Sequence, residues 1–269
     1  MTRRGKERKP RARSVEDRMT LAQHLGELRE RIVKCVLAIF VGMIVVLVFY
    51  DTVLDWLREP YTQICAEHVE YGCSGDFLLT DPLDGFATRM RVSGYGGLFL
   101  AMPVVLWQLW RFITPGLHPK EKRYAIPFLL SSIVLFALGA AIAYWTLPKA
   151  LEFLVSFSGG GFAANFNAGR YIRLLTLMML AFGAGFLFPI LLMFLQLVGV
   201  LTPRRLLEWW RTALVVIAIA AAVITPSGDP ISLTVLSVPM YLFYEIAILY
   251  GRLWQRRKRK AGASAGAVT

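Results

Sequence analysis

The sequence predicts an all-α protein that crosses a membrane six times. Of its 269 residues 56% are hydrophobic, and the mean hydropathy is +0.53. The chain is therefore more hydrophobic than a typical soluble domain. Several apolar segments also approach or reach the roughly 20 residues that a helix needs to cross about 30 Å of hydrocarbon. In addition, the lysines and arginines cluster in alternate connections between these segments, which is typical of a polytopic membrane protein.

Six apolar segments justify the six predicted helices in order. The first four are long enough for complete spans, and they cover 32–50, 92–110, 124–147 and 174–201. The last two, 212–225 and 231–250, are separated only by the sequence PSGDP, which is typical of a tight turn. Because the fifth segment would form a helix only about 21 Å long, we expect short fifth and sixth spans and a thinner bilayer beside them.

The basic residues predict the orientation of the chain. All but six of the 30 lysines and arginines lie before or at the start of the first span, after the sixth, or in the second-to-third and fourth-to-fifth connections. Because cytoplasmic segments carry the excess of basic residues, both termini are predicted to be cytoplasmic. The first outer loop is acidic instead. Topology therefore explains the net charge of +12, and we expect no nucleic-acid partner.

Two tails are predicted to flank a single transmembrane domain, 19–251. Residues 1–18 are highly charged, and 252–269 are basic and then rich in Ala and Gly. Neither tail can form a core, so we expect cytoplasmic tails that are disordered in 1–18 and from 257 onward. The basic region exceeds 30 residues and no small-residue cleavage pattern follows the first span, so we do not expect a cleaved signal peptide.

The cysteines predict one disulfide and no metal site. Cys35 lies in the first span and is expected to pack as a small apolar residue. Cys65 and Cys73 lie in the outer loop, where oxidising conditions favour a disulfide. His68 lies between them, but no fourth zinc ligand accompanies these three. Since the chain also lacks motifs for catalysis or nucleotide binding, we expect neither a cofactor nor an enzyme.

The stretch HLGELRERI precedes the first span and can be interpreted in two ways. Its leucines and isoleucine have helical spacing, which predicts an amphipathic helix that lies at the interface before it turns inward. Glu27 and Glu30 each precede a basic residue by four positions, and such pairs stabilise a helix by a few tenths of a kcal/mol. Alternatively, the carboxylates form a cation site. Acidic residues are few on this basic face, and Glu121 lies in a Pro/Gly-containing loop, so two carboxylates could each bind a guanidinium group.

Four sequence stretches together resemble the TatC family, the receptor subunit of the twin-arginine protein translocase. They are HLGELRERI, PLDGFATRMR, PVVLWQLWRFITPGLHPKEKR and ITPSGDPISLTVLSVPMYLFYEI, and the resemblance extends over about 20–252. It implies a subunit of the bacterial plasma membrane that binds twin-arginine signal peptides of folded cargo at the cytoplasmic side. It also implies partners, namely TatA-type and TatB-type single-span subunits, further TatC copies and membrane lipids, with transport driven by the proton motive force.

The resemblance also implies two sets of site residues. The signal-peptide site would consist of Glu27, Glu121, Arg29, Phe112, Pro115 and Leu117. Translocation or partner docking would involve His24, Pro60, Gln108, Asp229 and Glu245. For Pro60 a simple stiffening of the outer loop is compatible with that role, and for Asp229 an aspartate that bonds its own backbone remains open. Glu30 is expected to be a surface pair.

Two positions depart from the family pattern. Leu187 stands in the fourth span where many relatives carry a glutamate, so a mechanism that needs an acid there is in doubt. Leu233 stands in the sixth span where relatives often have glutamine, which weakens a polar docking contact for a partner helix.

Two rival functions are a small-molecule secondary transporter and a structural membrane scaffold. Transporters usually show internal repeats, broken helices and polar groups at mid-membrane. Here no repeat relates the first three spans to the last three, and the centres of the spans carry no charge. A scaffold would leave Glu121 on its constrained loop unexplained.

Overall fold

The computed structural model describes residues 21–68, 72, 76–78, 81–113, 125–159 and 166–266, with side chains from 25 to 253. Within these ranges the chain forms helices joined by short connections and one isolated bridge between Leu78 and Asn167. The helices are α1 (Leu21–Val48), α2 (Tyr50–Glu67), α3 (Asp84–Ile113), α4 (Ala125–Phe157), α5 (Ala168–Leu197), α6 (Pro203–Glu208), α7 (Trp210–Ile224) and α8 (Pro230–Gly266). The all-α prediction is confirmed.

Five helices in the described part of the chain are long and apolar enough to cross a membrane. They comprise Leu25–Val48, α3, α4, α5 and Pro230–Leu253. The predicted fifth segment forms the shorter apolar helix α7, with 15 residues. The prediction of a short sixth span is wrong, because the apolar part of α8 has 24 residues and is therefore about 36 Å long.

Two further predictions about helix ends are wrong. The amphipathic segment does not turn before the first span, because α1 is one continuous helix. α1 contains no proline, the residue that would remove a backbone hydrogen bond. Its two glycines, Gly26 and Gly42, lower helix propensity without breaking the helix. Likewise the basic tail continues α8 to Gly266, where a disordered segment was expected from 257. Ala, Lys and Arg favour helix, and extending an existing helix costs far less than starting one.

The buried centre of the bundle is α5, which packs against α3, α4 and α8. Its apolar side chains point in several directions and are fully buried, as for Ile172, Leu175, Met178 and Phe182. A helix that is apolar on all sides is expected at such a central position. α7 packs mainly on α8, and α1 packs mainly on α3, so these two helices lie at the edges of the bundle.

α1 and α3 touch backbone to backbone at a pair of glycines. A β-carbon added at Gly97 would lie 2.4 Å from the amide nitrogen of Met43, and one added at Gly42 would lie 2.7 Å from the carbonyl oxygen of Gly97. Small residues allow such close approach between membrane helices, where van der Waals packing drives association. These contacts also fix how far α1 is shifted along α3.

The sequence suggested that Pro60 stiffens the outer loop. In the structure Pro60 instead lies buried inside α2. A proline within a helix has no N–H to donate to the carbonyl four residues earlier, here that of Trp56. The Tyr144 hydroxyl on α4 donates to this Trp56 oxygen at 2.8 Å, and the two rings stack with centroids 4.4 Å apart. Pro60 thus frees an acceptor through which α2 is joined to α4.

We predict that the cost of Tyr144→Phe depends on Pro60. In the otherwise unchanged protein, Tyr144→Phe should lower the free energy of unfolding by about 1 kcal/mol, because the Trp56 carbonyl loses its donor. In the Pro60→Ala background, the new N–H can bond that carbonyl, so the same substitution should cost less. A double-mutant cycle followed by thermal unfolding measures this coupling. Equal costs in both backgrounds would contradict the assignment.

At the end of the bundle where α3 and α5 begin, aromatic side chains hold the connections together. The Tyr61 ring lies 5.4 Å from Phe77, 5.3 Å from Phe166 and 5.8 Å from Tyr171, between centroids. The Tyr171 hydroxyl donates to the Leu57 carbonyl at 3.0 Å. Burial raises the pKa of the Tyr61 hydroxyl, so it stays protonated, and it lies within hydrogen-bonding reach of the Phe166 backbone.

Candidate functional site

The packing of α1 on α3 places Glu27 level with Phe112. The two helices run antiparallel, since Gly42 and Met43 both contact Gly97 while Val46 approaches Gly96. The number of residues from Glu27 to Gly42 on α1 equals the number from Gly97 to Phe112 on α3. Both helices rise by about 1.5 Å per residue, so the two intervals have the same length. The carboxylate on α1 and the aromatic ring on α3 are therefore at the same height, near one end of the bundle.

The Glu27 carboxylate is held in a partly buried ion pair. Its Oε1 accepts from the Arg31 guanidinium, whereas Oε2 of Glu27 and Nε of Arg31 are buried without a hydrogen-bond partner. The side chain of Glu27 is 22% exposed, compared with 68% for Glu30, which pairs with Lys34 at 2.6 Å. Both intrahelical pairs therefore form, but only that of Glu27 leaves a buried acceptor oxygen unused. Such an oxygen has the capacity for another donor.

Other residues predicted for the signal-peptide site lie at the same end or outside the described part. Arg29 is exposed on α1, Phe112 is half-buried on α3, and Arg111 is close enough to Glu30 to act on it electrostatically. Glu121, Pro115 and Leu117 lie outside the described residues, in the connection between α3 and α4.

The predicted docking residues are spread over both ends of the bundle. His24 lies in the first turn of α1, where side chains are not described, and Gln108 is half-buried on α3. Asp229 is 1% exposed, and its Oδ1 accepts from the Ser232 amide at 2.6 Å at the start of α8. The interpretation as an aspartate that bonds its own backbone therefore describes one oxygen of Asp229, while Oδ2 is buried without a partner.

Glu245 lies half-buried on α8, near two hydrogen bonds that join this helix to α5 and α6. The Tyr241 hydroxyl is within hydrogen-bonding reach of its carboxylate. The Gln196 amide donates to the Ala247 carbonyl at 3.1 Å, and the Tyr244 hydroxyl donates to the Leu206 carbonyl. The sequence did not indicate this role for Gln196, because a lone glutamine in an apolar helix shows no partner in its own segment.

An apolar groove of about 350 Å³ lies between α3 and α7, with α5 and α8 beneath it. Leu106 and Trp110 contribute from α3, Ile217 from α7, and Leu187 from α5. Among the described residues no carboxylate lines the groove, and Leu187, which the family resemblance marked as a departure from an acidic position, contributes an apolar side chain. The sequence does not reveal the groove, because the groove depends on the separation of two helices that are far apart in the chain.

Among the described residues the cysteines, histidines and carboxylates form no group that could hold a metal ion. Cys65 is disulfide-bonded and Cys35 is a free thiol. Cys73 lies outside the described residues, so its pairing with Cys65 stays a prediction. Nε2 of His68 lies 3.7 Å from Oε1 of Glu152, and the described part of the chain contains no group of three potential metal ligands.

The fold and the site together define a helical, polytopic membrane protein whose polar features lie at the ends of its spans. The family model for the Sec-independent protein translocase protein TatC matches residues 23–239. The chain belongs to the TatC family. The family consists of protein translocase components and not of enzymes, which agrees with the prediction from the sequence.

Relatives and solved structures agree with this membership. The TatC protein of Frankia casuarinae is 38% identical over 261 residues, which cover 94% of this chain and 71% of the relative. That of Aquifex aeolicus is 34% identical and covers 90% of this chain and 98% of its own. A crystal structure of the twin-arginine translocase receptor TatC has a TM-score of 0.68 at 35% identity, covering 86% of this chain and 98% of its own.

Proposed function

We propose that this chain is the signal-peptide receptor of a twin-arginine translocase in a bacterial plasma membrane, with both termini cytoplasmic. It binds the paired arginines of a folded cargo's signal through Glu27 and Glu121, with Arg29, Phe112, Pro115 and Leu117 around them. TatA-type and TatB-type subunits and further TatC copies assemble with it, and the proton motive force drives transport.

The unused oxygen of Glu27 carries this proposal. A buried carboxylate oxygen without a donor is costly, and a guanidinium group can supply the missing hydrogen bond with a matching charge. Glu27 also lies on a continuous helix packed against α3, so its position is fixed before the ligand arrives. This preorganisation favours binding because little freedom is lost.

The connection between α3 and α4 supplies the second carboxylate in this proposal. Glu121 comes four residues before Ala125, the first residue of α4, in the sequence. Arg111 and Ala125 line the same small cavity between the ends of α3 and α4, and Arg111 acts electrostatically on Glu30 of α1. Two carboxylates can therefore approach one peptide, each from a separate element.

The apolar groove is a binding site for a hydrophobic helix, either that of the signal peptide or that of a single-span partner. Its α7 wall is a helix only about 22 Å long, so the bilayer beside it should be thinner than beside α8 and should suit a partner with a similarly short span. Full-thickness lipid contact around 210–224 in accessibility mapping would contradict this proposal. The apolar lining argues against the rival function of a secondary transporter, whose sites are usually polar at mid-membrane.

Binding of a twin-arginine signal peptide to the full-length protein in lipid nanodiscs tests the receptor function. A peptide with paired lysines is the control, because it keeps the charge and loses the planar guanidinium fork. We expect the arginine peptide to bind at least about tenfold more tightly, which corresponds to about 1.4 kcal/mol. Equal affinities would contradict the proposed receptor site, and uptake of a small solute by this chain alone would favour the transporter.

Filling the groove should block transport without weakening recognition of the arginines. Ala220 lines the groove on α7, so Ala220→Trp should occupy part of its volume. We expect export of a folded reporter to fall severalfold while affinity for the isolated twin-arginine peptide changes less than about twofold. The matched control is Ala222→Trp, since Ala222 is exposed on the same helix and does not line the groove. Unchanged export in the Ala220 variant would exclude the groove from transport.

A further inference from the structure

Three arginines cluster at the end of the bundle where α3 and α5 begin. Arg91 lies about two turns into α3, and Arg170 and Arg173 lie in the first two turns of α5; all three side chains are exposed. A β-carbon added at Gly169 would lie 2.2 Å from Nη1 of Arg91. The Arg91 guanidinium therefore lies against the first turn of α5, at the residue that precedes Arg170 in the sequence.

This arrangement opposes the local electrostatics of α5. The start of a helix carries a partial positive charge, which favours anions and disfavours cations. No acidic residue occupies the first turn of α5, and its N-cap is Asn167, whose side chain accepts from the Arg170 amide at 3.2 Å. Like charges three residues apart also repel each other. The cluster therefore destabilises the start of α5 unless an anion lies against it.

Nearby carboxylates in the described part of the chain do not supply that anion. Asp84 accepts from the Asn167 amide at 2.9 Å, and Asp81 accepts from the Leu83 amide at 2.8 Å. None of the ion pairs among described residues involves Arg91, Arg170 or Arg173. The three cations are thus available to a ligand.

Two other arginines in the same half of the chain differ from these three because each has a partner. Arg58 pairs with Asp76 at 3.7 Å, and the Arg89 guanidinium lies over the Tyr50 ring at 4.7 Å from its centroid. They have the same charge and a different environment, which makes them matched controls.

The position of the cluster favours a lipid phosphate. Arg91 and Arg173 lie about 10 Å and 8 Å along their helices from the first residue, and long basic side chains in that zone extend toward the headgroups. The planar guanidinium fork matches phosphate oxygens in pairs. Basic pockets between membrane helices bind acidic headgroups by the same chemistry.

We propose that Arg91, Arg170 and Arg173 bind the phosphate of an acidic glycerophospholipid in the leaflet where α3 and α5 begin. Under the orientation proposed above, this is the outer leaflet. The bound phosphate supplies the negative charge that the start of α5 lacks, and so stabilises the central helix of the bundle at that end.

Native mass spectrometry of the delipidated full-length protein tests this site. Phosphatidylglycerol is added in one arm, phosphatidylcholine in a second, and inorganic phosphate in a third. We expect the protein to retain phosphatidylglycerol about tenfold more than phosphatidylcholine. Arg170→Gln with Arg173→Gln should remove that preference, whereas Arg58→Gln with Arg89→Gln should preserve it. Replacing Arg170 and Arg173 by Lys keeps the charge without the fork, so retention should be intermediate, which also controls for a folding defect.

Two results would overturn the proposal. One is a preference for phosphatidylglycerol that survives both Arg170→Gln and Arg173→Gln in a protein that remains monodisperse. The other is binding of inorganic phosphate as tight as that of phosphatidylglycerol, because the cluster would then be a site for the free anion.

Discussion

Glu27→Gln should weaken binding of a twin-arginine signal peptide by about tenfold to a hundredfold. The substitution keeps the size of the side chain but removes the negative charge that binds a guanidinium group. The expected loss follows from the contribution of a hydrogen bond to a charged group, which is about 1.5–3 kcal/mol. Isothermal titration calorimetry, with the peptide titrated into the full-length protein in nanodiscs, measures the loss of affinity. Glu121→Gln should have an effect of similar size, and export of a folded reporter should fall in parallel.

Glu30→Gln is the matched control for this prediction. It also removes a carboxylate from α1 and breaks an intrahelical pair with a basic residue, but Glu30 is largely exposed and its pair with Lys34 lies at the surface. We expect less than a twofold change in peptide affinity. If Glu27→Gln and Glu30→Gln behave alike, both carboxylates only stabilise α1 through their pairs with Arg31 and Lys34, and the receptor site must be sought elsewhere.

Gly97→Val should destabilise the protein severely. A side chain at this position would collide with the backbone of Met43 and Ile39 on α1, and backbone cannot move aside as a flexible side chain can. Overpacking typically costs about 1–3 kcal/mol, and we expect about 3 kcal/mol or more here because α1 packs mainly on α3. Thermal unfolding of the purified protein measures the loss.

Gly94→Ala provides the control on the same helix. A β-carbon at Gly94 would have no heavy atom within 4 Å, and alanine is a better helix former than glycine. We expect unchanged or slightly raised stability. A similar stability for the two variants would contradict the close contact between α1 and α3, and with it the register that places Glu27 level with Phe112.

The sequence predicted the helical class and most of the spans because their signals are local. Apolar length and the distribution of charge are properties of each segment, and the PSGDP turn contains its own proline and glycine. The predicted short sixth span failed because the apolar part of α8 alone has 24 residues. The predicted disordered tail failed for a different reason. Hydropathy shows where a helix leaves the apolar layer, but it does not show where the helix ends, and α8 continues through residues that favour helix in water.

The candidate site could be predicted only in part. The resemblance to a family pointed to Glu27, but spacing alone explained it equally well as one half of a pair with Arg31. The unused oxygen of Glu27, the groove at Leu187 and the acceptor that Pro60 frees for Tyr144 all depend on which helices lie side by side. The arginine cluster on α3 and α5 depends on it too, since Arg91 and Arg170 are far apart in the sequence.

The most direct test of the receptor function locates the paired arginines of a bound signal peptide. A photoreactive residue placed next to the arginine pair is crosslinked to the full-length protein in membranes, and the attached segment is identified by mass spectrometry. We predict crosslinks to 24–31 on α1 and to 111–124, which include the last residues of α3 and the connection that follows it. Crosslinks confined to the opposite end of the bundle, around Arg91 and Arg170, or to α7 and α8 would contradict the proposed receptor site.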